Sequence, residues 1–255
     1  MKIKQRCTVS GHVQLIAHDG TGRRTRETGC YADFPNLITN SGLDYLPQLG
    51  FAAPTSVAQV GSSNTAPANT QTGLFSPVAS SSNMINFVAS YVASPVPYMQ
   101  SVRTIRFPVG AAAGNLAEIA MAPQDHTIGT TIYCRALVKD ALGTPTVMVV
   151  QANEALDVVY TQRVYLPTTA QTGSVVIGGI TYNYSALLSL VDAEADTNPD
   201  GWMNSQWPAI NGSTPMWASQ VFSAVSAFGG QTVGIAGTEI SGVGWDDPRE
   251  AYVGG

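Results

Sequence analysis

The sequence predicts a mainly β protein: a β-sandwich over residues 1–166, then a smaller β-rich unit over 167–255 with one or two short helices. Three observations carry this. Residues 3–17 alternate almost without a break, with Ile3, Val9, Val13, Leu15 and Ala17 on one side and Lys4, Arg6, Thr8, His12 and Gln14 on the other. That is the period of a half-buried strand. Residues 156–164 repeat the pattern, Leu156, Val158, Tyr160 and Val164 lying opposite Asp157, Thr161 and Arg163. Finally, 25 Gly and 15 Pro among 255 residues interrupt the chain often enough to favour turns over long helices.

The elements follow in order. After the strand at 3–17, Asp19-Gly20 supplies a turn and 23–31 returns as a hairpin partner. Residues 41–47 read as a short helix, capped by Ser41 and ended by Pro47. Residues 52–82, rich in Ala, Ser, Thr, Asn and Pro, read as a long surface excursion. Further strands are expected at 84–93, 101–109, 131–139, 146–150 and 156–166, and this spacing is that of a sandwich. A second unit begins near Pro167 with a strand pair inside 174–184. Residues 215–228 carry Trp217, Val221, Val225 and Phe228 at helical spacing, with Thr214 as cap, Pro215 in the first turn and Gly229 at the end, which predicts a helix.

Composition limits the function. Charged residues make up 11% of the chain, against about 25% in an average soluble protein. Lysine occurs only at positions 2, 4 and 139. Charge keeps free monomers apart, so this surface is read as one that lies against other chains. The charges are also uneven: residues 1–30 carry a net +4, 31–150 a net −1 and 151–255 a net −8. A basic head and an acidic tail suit head-to-tail contact between copies. Nucleic-acid binding would need a denser basic surface with aromatic platforms. There is no apolar run of spanning length and no secretory signal pattern, so neither membrane insertion nor export is expected. Cys7, Cys30 and Cys134 are odd in number and widely spaced, which argues against a disulfide framework or a zinc site and for a reducing cytosol. The sequons at Asn183 and Asn211 then carry no weight.

No catalytic motif is present: no phosphate-binding loop, dinucleotide fingerprint, zinc-protease helix or serine elbow. No catalytic residue, cofactor or metal is therefore expected. His12 and His18 lie on the polar side of the first strand and read as structural. A glycosidase needs only two carboxylates, for which Asp192, Glu194, Asp196, Asp200, Asp246, Asp247 and Glu250 are the candidates, against the plainer reading of acidic surface loops. Asp196, Asn198 and Asp200, with Gly201 sixth and Asn204 ninth, match the opening of a calcium loop, but Trp207 stands where the bidentate Glu belongs. The competing reading is a turn whose side chains bond their own backbone. Trp202, Trp207, Trp217 and Trp245, with Tyr182 and Tyr184, would form the stacking surface of a carbohydrate-binding module, against burial in a core or interface.

A set of ordered blocks points elsewhere. Asn36-Leu37-Ile38-Thr39-Asn40-Ser41-Gly42-Leu43-Asp44 is followed by Val60-Gly61-Ser62-Ser63-Asn64-Thr65-Ala66-Pro67 and Thr72-Gly73-Leu74. Next come Arg106-Phe107-Pro108-Val109-Gly110, Gly114-Asn115-Leu116-Ala117-Glu118-Ile119, residues 134–140 and Leu156-Asp157-Val158-Val159-Tyr160. Together they resemble tail proteins of tailed bacteriophages, with their "NLIT…GLD" and "VGxxNTAP" boxes. The likeness departs at Gln71, where an acid is common, and fades over 167–255. It implies a virion structural protein of the tail tip, baseplate or fibre, made in the bacterial host cytoplasm and acting in tail assembly and host attachment. Its partners would be other tail proteins, identical copies and a host surface glycan or protein. A carbohydrate-binding receptor module and a glycan depolymerase are the alternative readings.

The residues themselves give the blocks structural work. Asn36 is expected to satisfy backbone groups at a strand exit, Leu37 and Ile38 to bury, and Leu43 and Leu46 to tuck the helix against the sheet. Gly114 and Asn115 are expected to bend the chain, and Glu118 to pair with Arg106 or Arg135 across strands. Copies are expected to meet in a closed ring or trimer. The N-terminal arm, with Lys2, Ile3, Lys4 and Arg6, would add to a neighbour's sheet edge.

Overall fold

A computed structural model describes residues 2–5, 8–24, 30–49, 55–92, 95–96, 98–123, 131–165, 168–169, 171–177, 179–186, 225–228, 231–233, 243–247 and 250–254. In chain order these form β1 (Lys2–Gln5), β2 (Thr8–His18), β3 (Cys30–Pro35), β4 (Leu37–Ile38), helix α1 (Asn40–Leu49), β5 (Val57–Gly61), β6 (Pro77–Ser81), β7 (Met84–Val92) and β8 (Tyr98–Phe107). There follow β9 (Gly114–Leu116), β10 (Glu118–Ala122), β11 (Cys134–Leu137), β12 (Met148–Val150), β13 (Ala155–Tyr165), β14 (Gln171–Ile177), β15 (Ile180–Ala186), β16 (Val225–Phe228), β17 (Gln231–Val233), β18 (Val243–Asp247) and β19 (Glu250–Gly254). The protein is mainly β, as its alternation predicts.

The chain divides into two compact units, one of Ser10–Ala89 with Gln100–Arg163 and the other of Met1–Val9, Ser90–Met99 and Val164–Gly255. The first unit is built on two five-stranded sheets, ordered β4-β11-β10-β5-β6 and β3-β2-β13-β8-β7, with β12 paired to β9 beside them. In β2, Gly11, Val13, Leu15 and Ala17 are buried while His12, Gln14 and Ile16 are half-buried, the two faces that the sequence alternation predicts. In β13, Leu156, Val158, Tyr160 and Val164 are fully buried. Phe34, Ile105, Phe107, Leu116, Ile119 and Met121 are among the largest buried apolar side chains.

The other five-stranded sheet departs from expectation. Residues 52–82 contain β5 and β6, and β5 is buried at all five positions. It lies between β10 and β6, in antiparallel register with both. Its sequence, Val-Ala-Gln-Val-Gly, has no alternation to read because both faces are covered. Gly114–Leu116 is strand β9 and not a bend: Met148 pairs with Leu116 and Val149 with Asn115.

Helix α1 begins one residue before the expected span and is capped by Thr39, not Ser41. The Leu43 N–H donates to the Thr39 carbonyl at 3.0 Å, and the Gly42 N–H donates to Thr39 Oγ1 at 3.0 Å. This is N-cap geometry: one hydroxyl oxygen satisfies one of the orphan N–H groups of the first turn. The helix runs through Pro47 to Leu49, although a proline inside a helix loses one backbone bond and crowds the carbonyl four residues before it. Leu37 is 39% exposed and Ile38 half-buried, so this pair lies closer to the surface than expected.

In the second unit, β1 pairs with β19 and β19 with β18, both antiparallel. Lys2 lies opposite Gly254, Ile3 opposite Val253 and Lys4 opposite Tyr252. The alternating run at 3–17 is thus two strands in two sheets. β14 and β15 form the hairpin expected inside 174–184, with Ile177 opposite Ile180 and Gly179 at φ +81° in the connection. A two-residue hairpin loop needs such a positive φ, which glycine adopts without steric cost. Within the helix expected at 215–228, Val225–Phe228 is strand β16, paired with β17. Short apolar runs of this kind fit either period. Residues 215–224 lie outside the described residues.

Candidate functional site

The most developed polar arrangement centres on Glu118 at the start of β10 and Arg135 in β11, both fully buried. Antiparallel register sets Glu118 opposite Leu137 and Ala120 opposite Arg135, so the two side chains are diagonal neighbours on one face. Arg135 Nε donates to Glu118 Oε2 at 2.8 Å, and Nη2 lies 2.7 Å from the same oxygen. The rest of both groups is spent on the connection between β5 and β6. Arg135 Nη1 donates to Gln71 Oε1 at 3.0 Å and Nη2 to the Thr65 carbonyl at 2.7 Å. Glu118 accepts the Ser76 N–H at 2.8 Å and the Phe75 N–H at 3.3 Å. The Phe75 ring, 4.9 Å from the guanidinium carbon, covers the cation from outside.

Further contacts fix the same loop at its neck and underside. Ser62 and Ser76 bond through backbone and side chain at 2.8 and 2.9 Å. Leu74 packs with Ala120 and Ile132. The Ile132 N–H donates to the Thr72 carbonyl at 2.9 Å, and the Asn40 N–H to the Asn69 carbonyl at 2.7 Å. Gly61 must lack a side chain here, since a Cβ would meet the Glu118 carboxylate and the Ser76 carbonyl. Residues 62–76 are thus held by a buried ion pair, the start of α1 and an apolar anchor. Gln71 offers its side-chain oxygen to Arg135.

A second arrangement joins β2, β8 and β13. Arg106 grips Asp157 with two bonds of 2.7 and 2.8 Å. His18 Nε2 lies 3.1 Å from Asp157 Oδ1. His18 Nδ1 accepts the Gly20 N–H at 3.1 Å, which leaves the proton of the neutral ring on Nε2, toward Asp157. Burial works against ionising Asp157, but the bonds from Arg106 and His18 outweigh it and hold the carboxyl below its ordinary value. His18 is buried and hydrogen-bonded, a structural histidine. His12 is partly exposed, 3.4 Å from Asp33.

A third group lies in the core. Asn36 Nδ2 donates to the Tyr160 hydroxyl at 3.4 Å, so this side chain serves a tyrosine and not the strand exit. The Tyr160 hydroxyl also lies 3.7 Å from Cys134 Sγ, and Gln162 Nε2 donates to the Tyr133 hydroxyl at 2.7 Å. Burial pushes the Cys134 thiol up to about 11, so it stays protonated and unreactive at neutral pH. A Cβ at Gly11 would strike the Asn36 carboxamide and the Tyr160 hydroxyl.

An open cleft of about 390 Å³ adjoins the clamp, lined by Pro35, Asn36, Leu37, Pro67, Arg135, Ala136, Leu137, Lys139 and Pro145. Among the described residues of its lining there is no carboxylate, histidine, hydroxyl or thiol side chain. Among the described residues no group of three or more His, Cys, Asp or Glu side chains is placed to hold a metal ion.

The site residues named from sequence are scattered. Lys2, Ile3 and Lys4 lie in β1, paired with β19 of the same chain, and Arg6 lies outside the described residues. Trp245, Asp246 and Asp247 lie in β18, Glu250 in β19, and Tyr182 and Tyr184 in β15. Trp202, Trp207, Trp217, Asp192, Glu194 and the calcium-loop residues Asp196, Asn198 and Asp200 are outside the described residues. Sequence reading did not find the Asp157 cluster or the contacts of Arg135 to Gln71 and Thr65. The members stand 51 to 139 positions apart, or 64 and 70 apart, and no local spacing signals them. No family model, no curated protein and no solved structure matches the chain.

Proposed function

We propose that this chain is a structural component of a bacteriophage tail, in the tip, baseplate or fibre, and that it works by packing and not by catalysis. One observation supports the reading most strongly. The blocks that resemble tail proteins, though spread from Asn36 to Tyr160, touch one another in space. Arg135 holds Glu118, Thr65 accepts from Arg135, Arg106 holds Asp157, and Asn36 reaches Tyr160. A motif set whose members brace one another suits a part that must keep its shape in an assembly. The low charge content suits a chain largely covered by neighbours.

In this reading the partners are other tail proteins and identical copies, and no nucleic acid, cofactor or membrane is required. Mass spectrometry of purified virions, with tails separated from capsids, tests it. The chain is expected in the tail fraction at a fixed stoichiometry. Its presence only in the capsid fraction, or its absence from virions, would overturn the proposal.

A further inference from the structure

Among the described residues β7 is the last strand of its sheet, and β6, just before it, is the last strand of the other. The two edges are joined by residues 82–83 and pinned there: Ser81 Oγ donates to the Arg106 carbonyl at 2.6 Å, and the Arg106 N–H to the Asn83 carbonyl at 2.9 Å. Along β7, Met84, Ile85 and Val88 are 50%, 44% and 50% exposed, and Asn86 is exposed too. Both faces of this strand start are therefore open, and its apolar side chains point into solvent.

Soluble proteins blunt such edges with lysine, proline, an inward charge or a covering segment, because an open flat edge templates pairing with another chain. Met84–Val88 carries none of the residue-level guards. No charged residue or histidine occurs anywhere from position 45 to 102. That neutrality selects the partner. A strand that meets its own copy about a two-fold axis sets each side chain against itself or a near neighbour, so any charge on it would be opposed by its like. A neutral apolar strand has no such penalty, and nothing along it would attract an acidic or basic partner.

We infer that the β7 edge pairs with the β7 edge of a second copy of this chain, antiparallel about a two-fold axis beside Asn86, joining two five-stranded sheets into one. Met84 then faces Val88 of the other copy. This inference is independent of the tail reading, since any self-associating protein could use it.

A strand pair of this length lies at the small end of interfaces, below about 1,200 Å², so association is to be read near 100 μM chain. Light scattering after gel filtration, on the full chain, should give twice the 26.7 kDa chain mass. Asn86→Lys and Asn86→Glu, each at an exposed site and checked by circular dichroism, should each weaken self-association about tenfold or more, because like charges face across the axis. Mixed in equal amounts the two variants should re-form dimers, which a merely misfolded pair would not. A monomeric wild-type chain at 100 μM, an Asn86→Lys variant that dimerises as well as wild type, or a mixture that stays monomeric would each overturn the pairing.

Discussion

Arg135 and Glu118 put two charges where water does not reach, and each satisfies groups that the other cannot. The attraction within such a pair roughly offsets its desolvation, whereas removing one partner strands a buried charge. Glu118→Gln should therefore cost about 3–5 kcal/mol in urea denaturation. Glu118→Gln with Arg135→Met should cost less than the sum of the single changes. Additive losses would mean that the two side chains act separately. Asp157 gives a pH-dependent counterpart. Its folded pKa is depressed, so its contribution is present above the unfolded carboxyl value, about 3.9, and is lost as pH falls through the folded value. Asp157→Asn should cost about 1.5–3 kcal/mol at pH 7, the range for hydrogen bonds to charged groups. The wild-type and variant stabilities should then converge below the ordinary carboxylate range. A gap that persists in acid would show that the carboxylate charge is not what matters there.

Among the elements, α1 is held most narrowly. Thr39 caps it, and Thr39 Oγ1 also donates to the Ile132 carbonyl at 2.9 Å, tying the cap to the segment before β11. Thr39→Val keeps the shape and removes both bonds, and should lower stability by about 1–2 kcal/mol in thermal melts. Gly42 lies against the Tyr133 carbonyl with no room for a Cβ. Gly42→Ala must lift the helix from the sheet and should cost about 1–3 kcal/mol or more, although alanine is the better helix former. An unchanged melt for Gly42→Ala would contradict that close approach. These elements also show what a linear reading captures. β2, β13 and the β14–β15 hairpin are legible because each has one buried face or a glycine turn. β5 is not, because a strand covered on both sides loses its alternation and its small residues resemble a loop. Glu118 was legible as an ion-pair partner, but the choice of Arg135 over Arg106 depends on sheet register, and Arg106 is taken by Asp157. Thr39 and Ser41 are both cap-forming types, serine being the slightly better one. The helix start, where Asn40 bonds Asn69, decides between them.

At the scale of the whole molecule, charge is the feature that bears on function. A chain with 11% charged residues and a neutral stretch from 45 to 102 has weak means of staying apart from its neighbours. Among the described residues, polar side chains clamp residues 62–76, gather around Asp157 and bond the core tyrosines. In the proposed reading such a chain is a building block of a tail. The most direct test is immunogold electron microscopy of intact virions with antibodies raised against this chain. The account predicts gold at the tail, at its tip, baseplate or fibres. Gold confined to capsids, or no labelling of virions that are shown to be intact, would contradict it.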